Sequence, residues 1–272
     1  MSLTLKKVSY SYYPGTAMQT DALSEIDLRL DPGEFVGLMG PTGCGKSTLL
    51  QIAAGLLPPA SGSAVSDGVT GMVFQNPDHQ LFETTLEREI AFAPKCRGLG
   101  ETEIRKLVGD ALRDVGLDAP GLRERSPFTL SGGEKRRAIL AGVLAMDPVY
   151  LLLDEPLAGL DADGTEIMLD CLHKRCRNGA AVLMAAHDPD VICENASRVI
   201  RMDQGRIIFD GTPEEAFAER NNPGADLPEL GHVRETVSLL QAAGVTLPGE
   251  ITKFSELVKA LRTVLSERGQ HA

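Results

Sequence analysis

The residues best suited to chemistry stand at Gly40-Pro41-Thr42-Gly43-Cys44-Gly45-Lys46-Ser47-Thr48, where a glycine, four free positions and then Gly-Lys-Ser follow one another. Glycines let a tight loop turn successive backbone N–H groups inward as a nest for anionic oxygens, with no Cβ in the way. Lys46 would add a point charge at the β- and γ-phosphates of a triphosphate, and Ser47 would offer its hydroxyl to Mg²⁺. A helix beginning at this point adds an N-terminal dipole that favours anions.

Other residues are placed to act on such a phosphate. Gln75 ends a short strand, 70–74, and could bind Mg²⁺ or orient a water. Asp154 and Glu155 follow the unbroken apolar run Pro148-Val149-Tyr150-Leu151-Leu152-Leu153, which is the pattern of a strand buried on both faces. Ligands of open α/β sheets gather at the carboxyl ends of strands, so Asp154 is positioned to hold Mg²⁺ through water and Glu155 to act as general base. His187 ends the next apolar run, 180–186, in the same way and could hydrogen-bond the γ-phosphate or the water. Alone, each has a plainer account: a loop glutamine, two surface carboxylates, an ordinary histidine. Their pairing with Lys46 favours chemistry.

Ser131 and Glu134 have the spacing of a capping box, and Gly132 and Gly133 occupy the first turn it would start. Glycines weaken a helix there, which makes sense where an anion must approach the exposed N–H groups closely. Tyr10, Tyr12 and Tyr13 precede the loop, and an aromatic ring at that place can stack on an adenine or simply pack in a strand. Cys44 lies inside the loop, where N–H dipoles and Lys46 could lower its pKa, or where it only fills a free position. Cys171 and Cys176 read as buried or half-buried thiols, and His79 as a solvated loop side chain.

These residues need elements to hold them. Positions 34–39 read as a buried strand entering the loop and 47–54 as the helix leaving it, while residues 1 to 39 otherwise alternate apolar and polar positions as antiparallel strands do. From about Leu86 to Met146 the spacing is helical, an insertion within an α/β domain. After Thr212-Pro213-Glu214-Glu215, a second capping box, comes a polar stretch, 221–224. Two amphipathic segments follow, Val233-Val237-Leu240 and Phe254-Leu257-Val258-Leu261-Val264-Leu265.

With 272 residues the chain can form one large domain with an appendage. A net charge of −11 and the lack of a basic run argue against a nucleic-acid partner. No stretch reaches the roughly twenty apolar residues that cross a bilayer, since Asp147-Pro148 interrupts the best candidate, 138–153. The N-terminus lacks the order of a signal peptide and the five cysteines are an odd number, so a reducing cytoplasm is the expected compartment.

With these parts in this order, residues 3 to about 212 resemble the ATP-binding cassette ATPases, whose Leu-Ser-Gly-Gly signature stands at Leu130 to Gly133. The resemblance implies a P-loop NTPase core with an antiparallel β subdomain, a helical subdomain at about 76–147, and a small C-terminal helical appendage at 213–272. Every motif is intact. It further implies ATP and Mg²⁺, with ATP sandwiched in a head-to-tail dimer between the loop of one cassette and Ser131, Gly132, Gly133 and Glu134 of the other. In that scheme Tyr12 lies under the adenine and Asp161 lies at the dimer interface.

A narrower resemblance is to the energy-coupling-factor transporter ATPases, importers of vitamins or transition-metal ions. It rests on Gln75-Asn76-Pro77-Asp78-His79-Gln80-Leu81-Phe82, on Ser131 to Arg137 and on the tail. The insertion Tyr13 to Asp21 resembles one of two ATPase types there, which favours a heterodimer over a homodimer. The appendage then looks like a dimerisation element, and a groove near Gln75 to Phe82, with Leu81 and Phe82 exposed, would receive helices of a membrane coupling subunit. A substrate-binding membrane subunit would carry the cargo, with this chain at the cytoplasmic face. The rival readings are a soluble cassette ATPase of DNA repair or translation, which usually carries two cassettes, a coiled coil or basic faces, and a P-loop kinase, which leaves the signature unexplained.

Overall fold

The computed structural model describes residues 2–76, 80–217, 231–243, 245, 247, 251 and 253–269. β1 (Leu3–Tyr12), β2 (Thr20–Leu30) and β4 (Ser61–Ser66) form an antiparallel sheet in the order β2-β1-β4. In β1 the buried positions are Leu3, Leu5 and Val8, so the alternation skips a residue, and it does so at Lys7, whose φ of 46° makes a bulge. Glu25, with φ 49°, does the same in β2 between Leu23 and Ile26. The paired bulges return the apolar side chains to one face.

A second sheet runs β5-β6-β7-β3-β8-β9, built from β5 (Thr70–Val73), β6 (Tyr150–Asp154), β7 (Ala181–Ala185), β3 (Phe35–Met39), β8 (Arg198–Asp203) and β9 (Arg206–Gly211). All pairings are parallel except β8 with β9, which are joined by Gln204 and Gly205, both at positive φ as a tight hairpin turn requires. Every residue of β3, β6 and β7 is buried. That is why these strands read as continuous apolar runs.

Alternate residues of the central strands feed two cores. Val36, Leu38, Leu152 and Leu183 pack with the antiparallel sheet and α1 (Lys46–Ala53) on one face. Phe35, Met39, Leu151, Leu153 and Met184 pack with helices on the other. Each fully buried leucine or isoleucine here contributes about 2 kcal/mol. Tyr150 is fully buried yet satisfied, since its hydroxyl donates to Asp67 Oδ1 at 2.8 Å, and burial with that carboxylate beside it pushes the phenol up to about 12.

The helical insertion consists of α2 (Leu86–Cys96), α3 (Glu101–Asp114), the 3-10 turn Pro127–Thr129 and α4 (Gly132–Leu144). α5 (Ala162–Arg177) and α6 (Pro189–Asn195) complete the helical face. α7 (Pro213–Phe217) opens on the expected capping box: Thr212 Oγ1 accepts from the Glu215 amide at 3.2 Å, and Glu215 Oε2 accepts from the Thr212 amide at 3.1 Å.

α8 (His232–Ala242) and α9 (Phe254–Gly269) enclose a small separate core of Val233, Leu247, Ile251, Leu257 and Ala260. Asp190 at the start of α6 accepts from the Val233 amide at 3.4 Å, tying this appendage to the main body. Two expectations are corrected. Phe254 is 64% exposed, because α9 turns its stripe of Leu257, Ala260, Leu261 and Val264 inward and leaves its first residue outside. Leu81 is buried in the core of the insertion, and only Phe82 is exposed. The polar stretch 221–224 and His79 lie outside the described residues.

Candidate functional site

The strand order sets β6, β7 and β3 side by side with their carboxyl ends together. β3 therefore delivers Gly40, β6 delivers Asp154 and Glu155, and β7 leads to His187, all at one edge of the sheet. β5, beside β6, leads to Gln75. This strand-end geometry is the one that gathers ligands in open α/β sheets.

The loop from Gly40 to Gly45 needs its glycines. A Cβ on Gly45, at φ 108°, would stand 2.5 Å from the Ala22 carbonyl oxygen, and one on Gly40, at φ 151°, would stand 2.3 Å from that of Met202. Gly45 is the N-cap of α1 and offers no side-chain acceptor, so the amides of the first turn remain turned to the loop's concave side. Lys46 is buried, and its Nζ donates to the carbonyls of Gly40 at 2.6 Å and Pro41 at 3.1 Å. The hydroxyls of Tyr12 and Thr48 share a hydrogen bond of 3.1 Å, and the Tyr12 ring meets Tyr10 edge to face at 5.0 Å. Tyr12 is thus held beside the loop, whereas Tyr13 is 65% exposed.

A cleft of about 280 Å³ brings together Tyr12, Thr42, Gly43, Gly45, Lys46, Ser47, Thr48, Gln75, Asp154, Glu155 and His187. Asp154 and Glu155 are both buried. Glu155 has φ 52°, a left-handed conformation that costs a non-glycine residue energy and occurs where surrounding contacts enforce it. Its amide donates to the Ala185 carbonyl at 3.1 Å, which continues the β6–β7 ladder one residue past the strand. His187 Nε2 lies 3.0 Å from Glu155 Oε1 without the alignment of a hydrogen bond, and Oε1 is buried with no hydrogen-bond partner among the described residues. Burial pushes the Glu155 carboxyl above its ordinary range, with His187 and Lys46 pulling the other way and Asp154 adding to the rise. A carboxylate so raised, with one oxygen unpartnered in a polar cleft, can accept a proton from a water.

Gly40 and Cys44 belong to the loop but do not line the cleft. Cys44 is buried, and desolvation outweighs Lys46 so that the thiol is raised; of its two readings, that of a residue filling a free position is the one that fits. Ser131 to Glu134 and Asp161 do not line this cleft. Ser131 Oγ accepts from the Glu134 amide at 3.2 Å and Glu134 Oε2 accepts from the Ser131 amide at 2.8 Å, which completes the capping box and holds the Glu134 carboxyl below its usual range. Gly132 faces open space. Asp161 caps α5 through the Gly164 amide at 2.8 Å.

Sequence reasoning missed Thr20, Asp21 and Ala22, which also line the cleft. As ordinary strand residues they carry no motif. The usable signal is register, because Thr20 pairs with Tyr12 across β1 and β2. It also assigned nothing to Gln80, whose amide closes on β5 by accepting from the Phe74 amide at 2.8 Å and donating to the Met72 carbonyl at 3.1 Å.

A second groove lies within the insertion, between α2, α4 and the segment 80–82, lined by Leu81, Phe82, Phe92, Ile139 and Met146 among others. Phe82 and Phe92 meet edge to face at 4.7 Å, and both are exposed. Glu89, buried, accepts from the amides of Phe82 at 3.0 Å and Glu83 at 2.8 Å and so fixes Phe82 at the groove's rim.

The chain is similar to known proteins along most of its length. A family model described as ABC transporter matches residues 23–158. The chain is 42% identical to an energy-coupling factor transporter ATP-binding protein EcfA2 of Symbiobacterium thermophilum, over 98% of both chains. It is 38% identical to the protein of that name from Clostridium perfringens, over 97% of this chain and 99% of the relative. Among solved structures it is similar to cbiO1 of Clostridium perfringens, part of the ABC transporter complex cbiONQ, with TM-score 0.72 and 33% identity over 89% of this chain and 96% of that one. It is also similar to the ATP-binding cassette MJ0796 in a dimeric post-hydrolysis state with ADP and Pi, with TM-score 0.70 and 28% identity over 78% of this chain and 99% of that one.

Proposed function

The chain belongs to the ABC transporter family of ATPases, and from that premise we propose that it is the ATP-hydrolysing subunit of an importer of the energy-coupling-factor type, serving vitamin or transition-metal ion uptake. The observation that carries this reading is the division of the machinery. The cleft of one chain holds Lys46, Asp154, Glu155 and His187, while the capped, glycine-faced turn Ser131–Glu134 stands outside that cleft. A second cassette, head to tail, supplies the missing turn.

In this reading the amides of Gly40 to Thr48 and the Lys46 ammonium hold the phosphates, and the Tyr12 ring lies against the adenine. Glu155 takes the proton of the attacking water at Oε1, and His187 holds the γ-phosphate from the end of β7. Ser131, with the amides of Gly132 and Gly133 and its cap Glu134, meets the same γ-phosphate from the partner, with Asp161 at the junction. Mg²⁺ fits the donors present, because Ser47, Asp154 and Gln75 offer the cleft only hard oxygen ligands, and when bound it would neutralise charge on the phosphates. Among the described residues no cluster of three or more His, Cys, Asp or Glu forms a protein-built cage. The ion would therefore share its coordination with phosphate and water.

The cassette unit spans 1–212 with its helical insertion at about 76–147, and 213–272 is the dimerisation appendage. The partner is a second cassette of the other type, with a homodimer as the alternative. The groove at Phe82 receives a membrane coupling subunit, which works with a substrate-binding membrane subunit. No described helix is long and apolar enough to cross a membrane, in keeping with a peripheral place at the cytoplasmic face. A soluble repair or translation ATPase is not favoured, since relatives matched along almost the whole chain carry transporter names.

The test is Glu155→Gln with ATP and Mg²⁺. A trapped dimer seen by light scattering, with hydrolysis lost, is expected, whereas normal turnover by a stable monomer would overturn the reading.

A further inference from the structure

We propose that Arg136 is the positioning residue for the general base: its guanidinium grips the main chain of Glu155 and sets the carboxylate only while α4 is seated on the core. The inference rests on the reading of Glu155 as that base. Arg136 Nη1 donates to the Glu155 carbonyl oxygen at 3.1 Å, across subdomains. The same oxygen accepts from the Ala158 amide at 3.3 Å, so both of its lone pairs are engaged.

The contact matters because of the backbone it holds. Glu155 sits at φ 52°, and a residue in that region keeps its conformation only when its neighbours enforce it. Three groups do so here: the Ala185 carbonyl, which binds the Glu155 amide, and Ala158 and Arg136, which bind its carbonyl. The first two belong to the core. Arg136 alone comes from the insertion, and it is the one with a full charge, which strengthens its bond.

The next residue, Arg137, reaches the opposite way. Its Nη1 donates to the Val115 carbonyl at 3.2 Å, at the end of α3. Consecutive arginines on one helix thus attach α4 to the insertion and to the catalytic strand end. Gly133 in the first turn of α4 reinforces the second attachment, since a Cβ there would come within 3.3 Å of Leu160 Cδ2 in the turn that follows Glu155. Any tilt of α4 relative to the sheet therefore acts on the peptide that aims the Glu155 side chain.

The experiment compares Arg136→Ala, Glu155→Gln and the double variant of the full chain, assayed with its partner cassette where one co-purifies. Arg136→Ala should lower kcat by about tenfold or more, the rate equivalent of one charge-assisted hydrogen bond, and change ATP affinity by less than about twofold. In the Glu155→Gln background the same substitution should leave the residual single-turnover rate unchanged, because the group it positions is gone. If Arg136→Ala does not fold, Arg136→Met, which keeps the stem but lacks the donor, is read in the same way. An unchanged kcat, or an equal loss in both backgrounds, overturns the positioning role while leaving Glu155 as the base. Normal hydrolysis by Glu155→Gln alone fails the base itself, and this inference with it.

Discussion

His187 Nε2 stands 3.0 Å from Oε1 of Glu155, across the ends of the neighbouring strands β7 and β6. Burial raises the Glu155 carboxyl, so the acid limb of the kcat profile should lie above the ordinary glutamate range of about 4.3. Stability follows the opposite sign. A group whose folded pKa is raised binds more protons when folded, so its contribution to stability falls as pH rises through the folded value. Glu155→Gln should therefore melt higher than the parent at neutral pH, and the gap should close as pH drops towards 4. Thermal melts across that range check it.

Lys46→Ala should weaken ATP binding by at least about tenfold, read by titration calorimetry, since a charged donor to phosphate is lost. Its buried position between the Gly40 and Pro41 carbonyls also predicts a loosened loop. In contrast with Glu155→Gln, the defect lies in binding rather than in turnover.

Phe82 and Leu81 should part company on mutation. Phe82→Glu changes an exposed ring and should leave the melting temperature within a few degrees while abolishing co-purification of a membrane subunit. Leu81→Asp puts a charge into the insertion's core and should cost about 3 kcal/mol or more, giving poorly folded protein. Denaturant melts and pull-downs from solubilised membranes separate the two.

Thiol labelling gives a simpler check. Cys96 is exposed, whereas Cys44, Cys171 and Cys193 are buried with their thiols raised by desolvation. At neutral pH a maleimide should modify Cys96 first, and mass spectrometry of peptides should find Cys44 protected.

Much of the site was legible because strands buried on both faces leave an unmistakable trace: Leu151 to Leu153 and Ala181 to Ala185 read as apolar runs, and the polar residues ending them are the ones that reach the cleft. The capping boxes at Ser131 and Thr212 were equally plain, since both partners lie within one turn. What stayed hidden depends on contacts distant in sequence. Leu81 looks exposed until the insertion folds over it, and the two readings of Cys44 part only once the folded loop buries its thiol. Thr20 joins the cleft only through its register with Tyr12, and Arg136 acquires a partner 19 positions away that no local pattern announces.

The amide of Gln80 has one more effect. β5 is the outermost strand of its sheet, and by receiving the Phe74 N–H while offering its own NH₂ to the Met72 carbonyl, Gln80 imitates the peptide unit of an absent neighbour. The open margin is thereby blocked against strand addition by another molecule, the commonest hazard of an unprotected rim. Replacing Gln80 with leucine would expose that margin, so self-association into aggregates should precede any defect in catalysis.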